Sequence, residues 1–216
     1  MSTSFSRECL NLYLAPGIAD FTEFDAPDIS GQYPQSTHWI ANHFLNSILR
    51  GSYSGKFKQY AINHLYRAQV AFSDYHEARA LTREFIEAGK PSAPHVRVYF
   101  RALSRWESCL LNTQIFIDTL NKINLEFDGE KVFCEGDNSK EARAYSIANK
   151  IKHYGGEIRN GSCAETETVP MWLTNSGIST RNHEISYEEL SIIVSSIASL
   201  ADEIQDPISF REQNHT

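Results

Sequence analysis

Between Asn138 and Arg159 the chain reads NSKEARAYSIANKIKHYGGEIR, and inside that stretch Asn149 and His153 stand four residues apart. On a helix this spacing sets an amide and an imidazole one turn from each other on the same side. An imidazole so placed can exchange protons near neutral pH, and an amide one turn back can orient it or a substrate. Lys150 and Lys152 lie between and beside them and add the positive charge that contacts phosphate. The plainer role for Asn149 and His153 is hydrogen bonding to a loop or to a partner subunit. Either role depends on the helix that carries them.

That helix has an apolar face of Ala144, Ile147, Ala148, Ile151 and Ile158, with Tyr145, Asn149, Lys152 and His153 along the neighbouring edge. Asn138 with Glu141 three residues on resembles a capping box at its start, and Gly155-Gly156 weakens or ends it. Two longer periods precede it. From about Gly55 to Ala88, apolar or small residues recur at Phe57, Tyr60, Ala61, Leu65, Ala68, Phe72, Tyr75, Ala78, Leu81 and Phe85, and Gly89-Lys90-Pro91 stops them. From Pro94 to about Ile123 a second period runs through Val98, Ala102, Trp106, Cys109, Leu110, Phe116, Ile117 and Leu120. A connection this short folds the two into an antiparallel hairpin.

The remaining elements are shorter. Ser36 or Thr37 caps a helix that runs to about Arg50, and Ser186 with Glu189 opens a last one bearing Leu190, Ile193, Val194, Ile197, Leu200, Ala201 and Ile204 on one stripe. Alternation around Asp128-Gly129 predicts a small β-hairpin near residues 125–134. Residues 160–185 form an ordered excursion pinned by Trp172. The fold class is therefore all-α, a helical bundle built on a long antiparallel helical hairpin. Its single domain spans 36–206, behind an irregular N-terminal arm, 1–35, that Phe21, Phe24 and Tyr33 lay across the body. A polar tail, 207–216, frays.

Composition narrows the chemistry. A net charge of −7 and a pI near 5.6 argue against indiscriminate binding to nucleic acid or anionic membrane, while leaving room for a local basic patch. No run of apolar residues is long enough to span a membrane, and the first residues lack the pattern of a secretory signal, so the cytoplasm is the expected compartment. Cys9, Cys109, Cys134 and Cys163 form no CxxC pair, and no metal or cofactor is expected. Arg97, Arg101 and Arg105, spaced i, i+4, i+8, stack three positive charges on one face. They form a candidate track for RNA, or they pair with Asp74, Glu77, Glu84 and Glu87 of the preceding helix.

Ala148-Asn149-Lys150-Ile151-Lys152-His153 resembles a degenerate form of the signature of HEPN domains, helical bundles found in many prokaryotic toxin, antitoxin and phage-defence proteins. The motif in that family is an arginine, usually followed by a polar residue, then histidine a few residues later. The resemblance covers about residues 55–205 as architecture and six residues as motif. Asn149 falls on the polar position and His153 on the histidine, while Ala148 stands where the family has arginine. The resemblance implies a homodimer with the Asn149/His153 edge near its interface. It further implies a dimeric interaction or RNA-recognition module in defence or toxin–antitoxin control, with catalysis lost along with the arginine. One alternative is a metal-independent ribonuclease with His153 as acid or base and another cation in place of the arginine. Another is a helical scaffold without a ligand, in which His153 would be buried against backbone.

Overall fold

A computed structural model describes residues 5–89, 93–126, 129–134 and 136–209. The chain order is α1 (Arg7–Tyr13), a 3-10 turn (Ile18–Asp20), α2 (Trp39–Leu49), α3 (Lys56–Glu87), α4 (Ala93–Glu126), α5 (Lys140–Arg159), β1 (Trp172–Leu173), β2 (Gly177–Ser179), β3 (Glu184–Ser186) and α6 (Tyr187–Ile204). With 32 and 34 residues, α3 and α4 dominate the molecule, each about 50 Å long at 1.5 Å per residue. Their apolar period continues without a break for the whole length, which is why neither stops earlier. Gly89 ends α3 at φ +76°, a conformation that glycine adopts without strain. The Lys90-Pro91 part of the expected stop lies outside the described residues.

The hairpin buries Leu65, Phe72, Tyr75 and Phe85 of α3 against Tyr99, Trp106 and Leu110 of α4. A polar seam runs along the same pairing. Asp74 accepts from Arg105 at 3.0 Å and from Ser108 Oγ at 2.5 Å, and Arg67 donates to Asn112 at 2.9 Å. Helix α6 lies on α3 and α4, α5 packs on α4 and α6, and α2 sits on α3 and α6. The fold is all-α apart from one small antiparallel sheet.

That sheet lies at 172–186. Its order is β1-β2-β3, with Leu173 opposite Ile178 and Ile178 opposite Ile185. The β element is thus displaced from the expected 125–134: Leu125 and Glu126 continue α4, and residues 129–134 carry no strand. Phe127 and Asp128 lie outside the described residues. The excursion is held by Met171, Leu173, Ile178 and Ile185, all essentially buried, whereas Trp172 is only half-buried. At Gly177 the two chains close up. A Cβ there would stand 2.1 Å from the Ile185 carbonyl oxygen and 2.8 Å from Ser186 Cα, so only glycine fits.

Several element ends differ from the expectation. The N-cap of α5 is Ser139, whose hydroxyl accepts from Ala142 N at 3.1 Å; Asn138 precedes it at φ +58°, a left-handed conformation that asparagine tolerates. Gly155 and Gly156 do not end α5, which runs on to Arg159. Helix α2 starts behind His38 and not behind Ser36 or Thr37, because the Gln35–His38 turn comes between. The α6 capping box is present as expected, with Ser186 and Glu189 bonding reciprocally. The N-terminal arm contains α1 and gives Leu10, Ile18, Phe21, Ala26 and Ile29 to the common core. Pro207 is buried, and Asp206 caps Ile208 and Ser209, so these residues are packed; residues 210–216 lie outside the description.

Candidate functional site

Helix α5 sends Ala144, Ile147 and Ala148 into the core, which turns Asn149, Lys152 and His153 toward its outer edge. Asn149 is half-buried, and its Oδ1 accepts from Gln114 Nε2 of α4 at 2.7 Å. Gln114 is 1% exposed, so this bond is shielded from water, and its own Oε1 has no partner among the described residues. With Oδ1 engaged inward, the Asn149 amide hydrogens remain for a partner outside. His153 is exposed and makes no hydrogen bond or ion pair among the described residues, and neither does the exposed Lys152. The backbone-bonded, buried histidine of a ligandless scaffold is not what α5 presents.

Opposite this edge, α4 presents Gln114, bonded to Asn149, and Asp118, within reach of the Lys152 charge; Glu107, seven residues before Gln114, lies on the same side of α4. Burial pushes the Glu107 carboxyl up from its ordinary range. Burial does the same to Asp118, and the ammonium groups of Lys152 and then Lys122 draw it part of the way back. Of these two carboxyls, Asp118 is the one that faces the α5 edge, through the charge of Lys152. None of Glu107, Gln114 and Asp118 stands out in the sequence as a site residue. Their shared stripe was visible as an E-x6-Q-x3-D spacing, but polar residues on an otherwise core-forming helix carried no sign of which neighbour they would meet.

Lys150 takes another course from its expected role as an RNA contact. It forms ion pairs with Glu157 and, at 3.4 Å, with Glu167, and its Nζ lies 5.6 Å from the centre of the Tyr154 ring. Burial alone would lower this ammonium, but the two carboxylates outweigh it and hold its pKa above the usual value. Glu167 shows the mirror case. Burial pushes its carboxyl up, while the Ala164 amide and the Lys150 ammonium pull it down to a net lowering. With Tyr154 OH donating to the Glu167 carbonyl, this cluster ties the loop after α5 back onto the helix.

The arginine row divides. Arg105 bonds Asp74 at 3.0 Å and Glu77 at 3.1 Å, as the pairing alternative expected. Arg97 and Arg101 are exposed, with no ion pair among the described residues. Among the described residues no guanidinium is bonded or ion-paired to the Asn149/His153 edge. Ala148 is 0% exposed and, five residues from His153, points roughly 140° away from it around the helix. Arg143 is held by Glu189 and the Asn138 carbonyl.

The edge can thus donate hydrogen bonds from Asn149, carry charge on Lys152 and move a proton on His153. Among the described residues of one protomer it engages no planar cation of the kind that would stabilise a phosphoryl transition state. Among the described residues no group of three or more His, Cys, Asp or Glu side chains is gathered as a metal site, and no helix is long and apolar enough to cross a membrane. No family model, curated protein or solved structure matches this chain.

Proposed function

We propose that the chain is a HEPN-like helical module that recognises RNA without cleaving it, through the α5 edge of Asn149, Lys152 and His153. The observation that carries this reading is the unspent donor capacity there. Lys152 and His153 are exposed and make no hydrogen bond or ion pair among the described residues, next to an amide whose acceptor is already fixed by Gln114. Several other cations of the domain are committed to carboxylates, among them Arg50, Lys56, Arg79, Arg105, Arg143 and Lys150. Arg97 and Arg101, uncommitted as well, extend the same reading along α4. Overall negative charge then restricts binding to this local surface, where specific contacts must supply the affinity.

Binding of a labelled single-stranded RNA, followed by fluorescence anisotropy in EDTA over a salt series, tests the reading. Lys152→Ala with His153→Ala weakens binding by about 10-fold or more, and Lys152→Ala alone lowers the salt slope by about 1. Equal binding by the double variant, or none by the wild type at low salt, refutes it. The exposure of His153 also suits a metal-independent ribonuclease that borrows a cation from a second copy. RNA cleavage in EDTA that is lost in His153→Ala would select that reading.

A further inference from the structure

Helix α2 buries Trp39 in the core and yet carries a second apolar face on its outer side. Its inner side makes polar contacts: Asn42 donates to Gln205 Oε1 at 2.9 Å, Asn46 donates to the Gln205 carbonyl at 3.2 Å, and Trp39 Nε1 donates to Asp202 at 3.0 Å. His43 is buried on the same side. The outer side carries Phe44, Leu45, Ile48 and Leu49, which are 60%, 52%, 64% and 77% exposed. Their i, i+1, i+4, i+5 spacing gathers them on one face. The usual arrangement has the apolar stripe inward and the amides outward.

We infer that this face of α2 is a homodimer interface, covered by the same face of a second copy across a two-fold axis. Three observations choose that occupant. First, at roughly 150–200 Å² per large apolar side chain the four residues offer about 400–500 Å² in one patch, a size that on soluble proteins commonly marks a functional surface. An ordinary interface of about 800 Å² per partner, a little over half of it apolar, needs this much. Second, α2 is the only α-helix among the described residues with no charged side chain. Two copies of a chain bearing −7 repel each other, and here their identical surfaces meet with no like-charge contact within the helix pair. Third, a helix lying on a membrane surface needs Lys or Arg on its polar face, and α2 has neither. The inference does not depend on the RNA reading, since α5 lies elsewhere on the fold.

Analytical ultracentrifugation over a concentration series decides it, with circular dichroism as the check on folding. The wild type is a dimer, Ile48→Glu is a monomer of unchanged helicity, and the dissociation constant rises by roughly 100-fold or more. His153→Ala stays dimeric, which separates this interface from the α5 edge. Should Ile48→Glu lose helicity, the uncharged pair Leu45→Gln with Leu49→Gln is read by the same criterion. A wild type that is monomeric at about 100 μM, a level at which even a weak interface assembles, overturns the inference. So does a dimer that persists in folded Ile48→Glu, or a monomer that floats with phosphatidylcholine vesicles.

Discussion

Acidification from pH 7.5 to 5.5 removes stability from this fold through two buried histidines. His43 and His64 are 2% and 3% exposed. Burial holds both imidazoles below their ordinary value of 6.5; the carbonyls of Ile204 and Gln205 for His43, and of Tyr60 and Phe116 for His64, offset this only in part, and Lys58 adds to the depression at His43. Well above pH 6.5 both folded and unfolded chains hold them neutral, and they contribute no pH dependence. As pH falls below 6.5 the unfolded chain takes up protons that the folded chain refuses. Unfolding free energy then drops by up to about 1.4 kcal/mol per pH unit for each histidine, until the folded-state value is reached. At pH 5.5 the pair accounts for up to about 3 kcal/mol, or roughly 6–11 °C of Tm in a chain of this length. Glu107 and Asp118, raised by burial, act in the opposite sense, because the folded chain holds their protons more tightly. The histidine part is therefore read by difference. Urea unfolding at pH 7.5, 6.5 and 5.5 compares the wild type with His43→Gln and His64→Gln, and each replacement flattens the last interval by up to about 1.4 kcal/mol. The same pH dependence in the wild type and the double variant would show that these rings do not refuse protons in the folded state.

Gly177→Ala sets its new Cβ against β3 backbone that cannot swing aside, and costs about 3 kcal/mol or more in denaturant unfolding; a loss under about 1 kcal/mol would mean the sheet yields easily. Gly155→Ala and Gly156→Ala lie in the body of α5 with nothing within 4 Å of the added carbon, so each raises stability by about 0.5–1 kcal/mol in the same assay. Loss of stability in either would place an unseen contact at that turn. Ser186→Ala removes the hydroxyl that accepts from the Glu189 amide, one arm of the α6 capping box, and lowers Tm by the equivalent of about 1 kcal/mol, while Ser186→Asp retains most of it.

The long helices were legible because their signal is local and repeated. A buried residue every three or four positions over some thirty residues leaves little room for another period, and α3 came within a residue or so at each end. The sheet was not legible for the opposite reason. Its strands are two or three residues long, too short for alternation to register, and what selects them is the close approach at Gly177 and the burial of Ile178 and Ile185. Residues 125–134 offered better alternation, yet the propensity of α4 carried Leu125 and Glu126 into the helix. At the candidate site, periodicity put Asn149 and His153 on the edge of α5, where they are found. It could not say that Lys150 would be taken up by Glu157 and Glu167, since the second of these partners comes from a loop seventeen residues on. For α2, the letters alone showed apolar residues on a short helix and gave no reason to expect them outward.

The bonds that seat α2 and the arm have a consequence for how the chain is made. Trp39 waits for Asp202, Asn42 for Gln205, and the Thr22 and Glu23 amides for Asn175. Partners separated by 163 residues emerge from a ribosome roughly 8–30 s apart at common rates of synthesis. The α3–α4 hairpin, whose two halves are adjacent in sequence, can collapse during that interval, but the groove that receives α2 exists only once α6 has been translated. Until then the nascent chain displays both sides of α2, Trp39 on one and Phe44, Ile48 and Leu49 on the other. A chain built in this order exposes Trp39 together with the outer apolar face of α2 early and encloses Trp39 only when α6 arrives, so the nascent chain carries an adhesive surface that folding reduces.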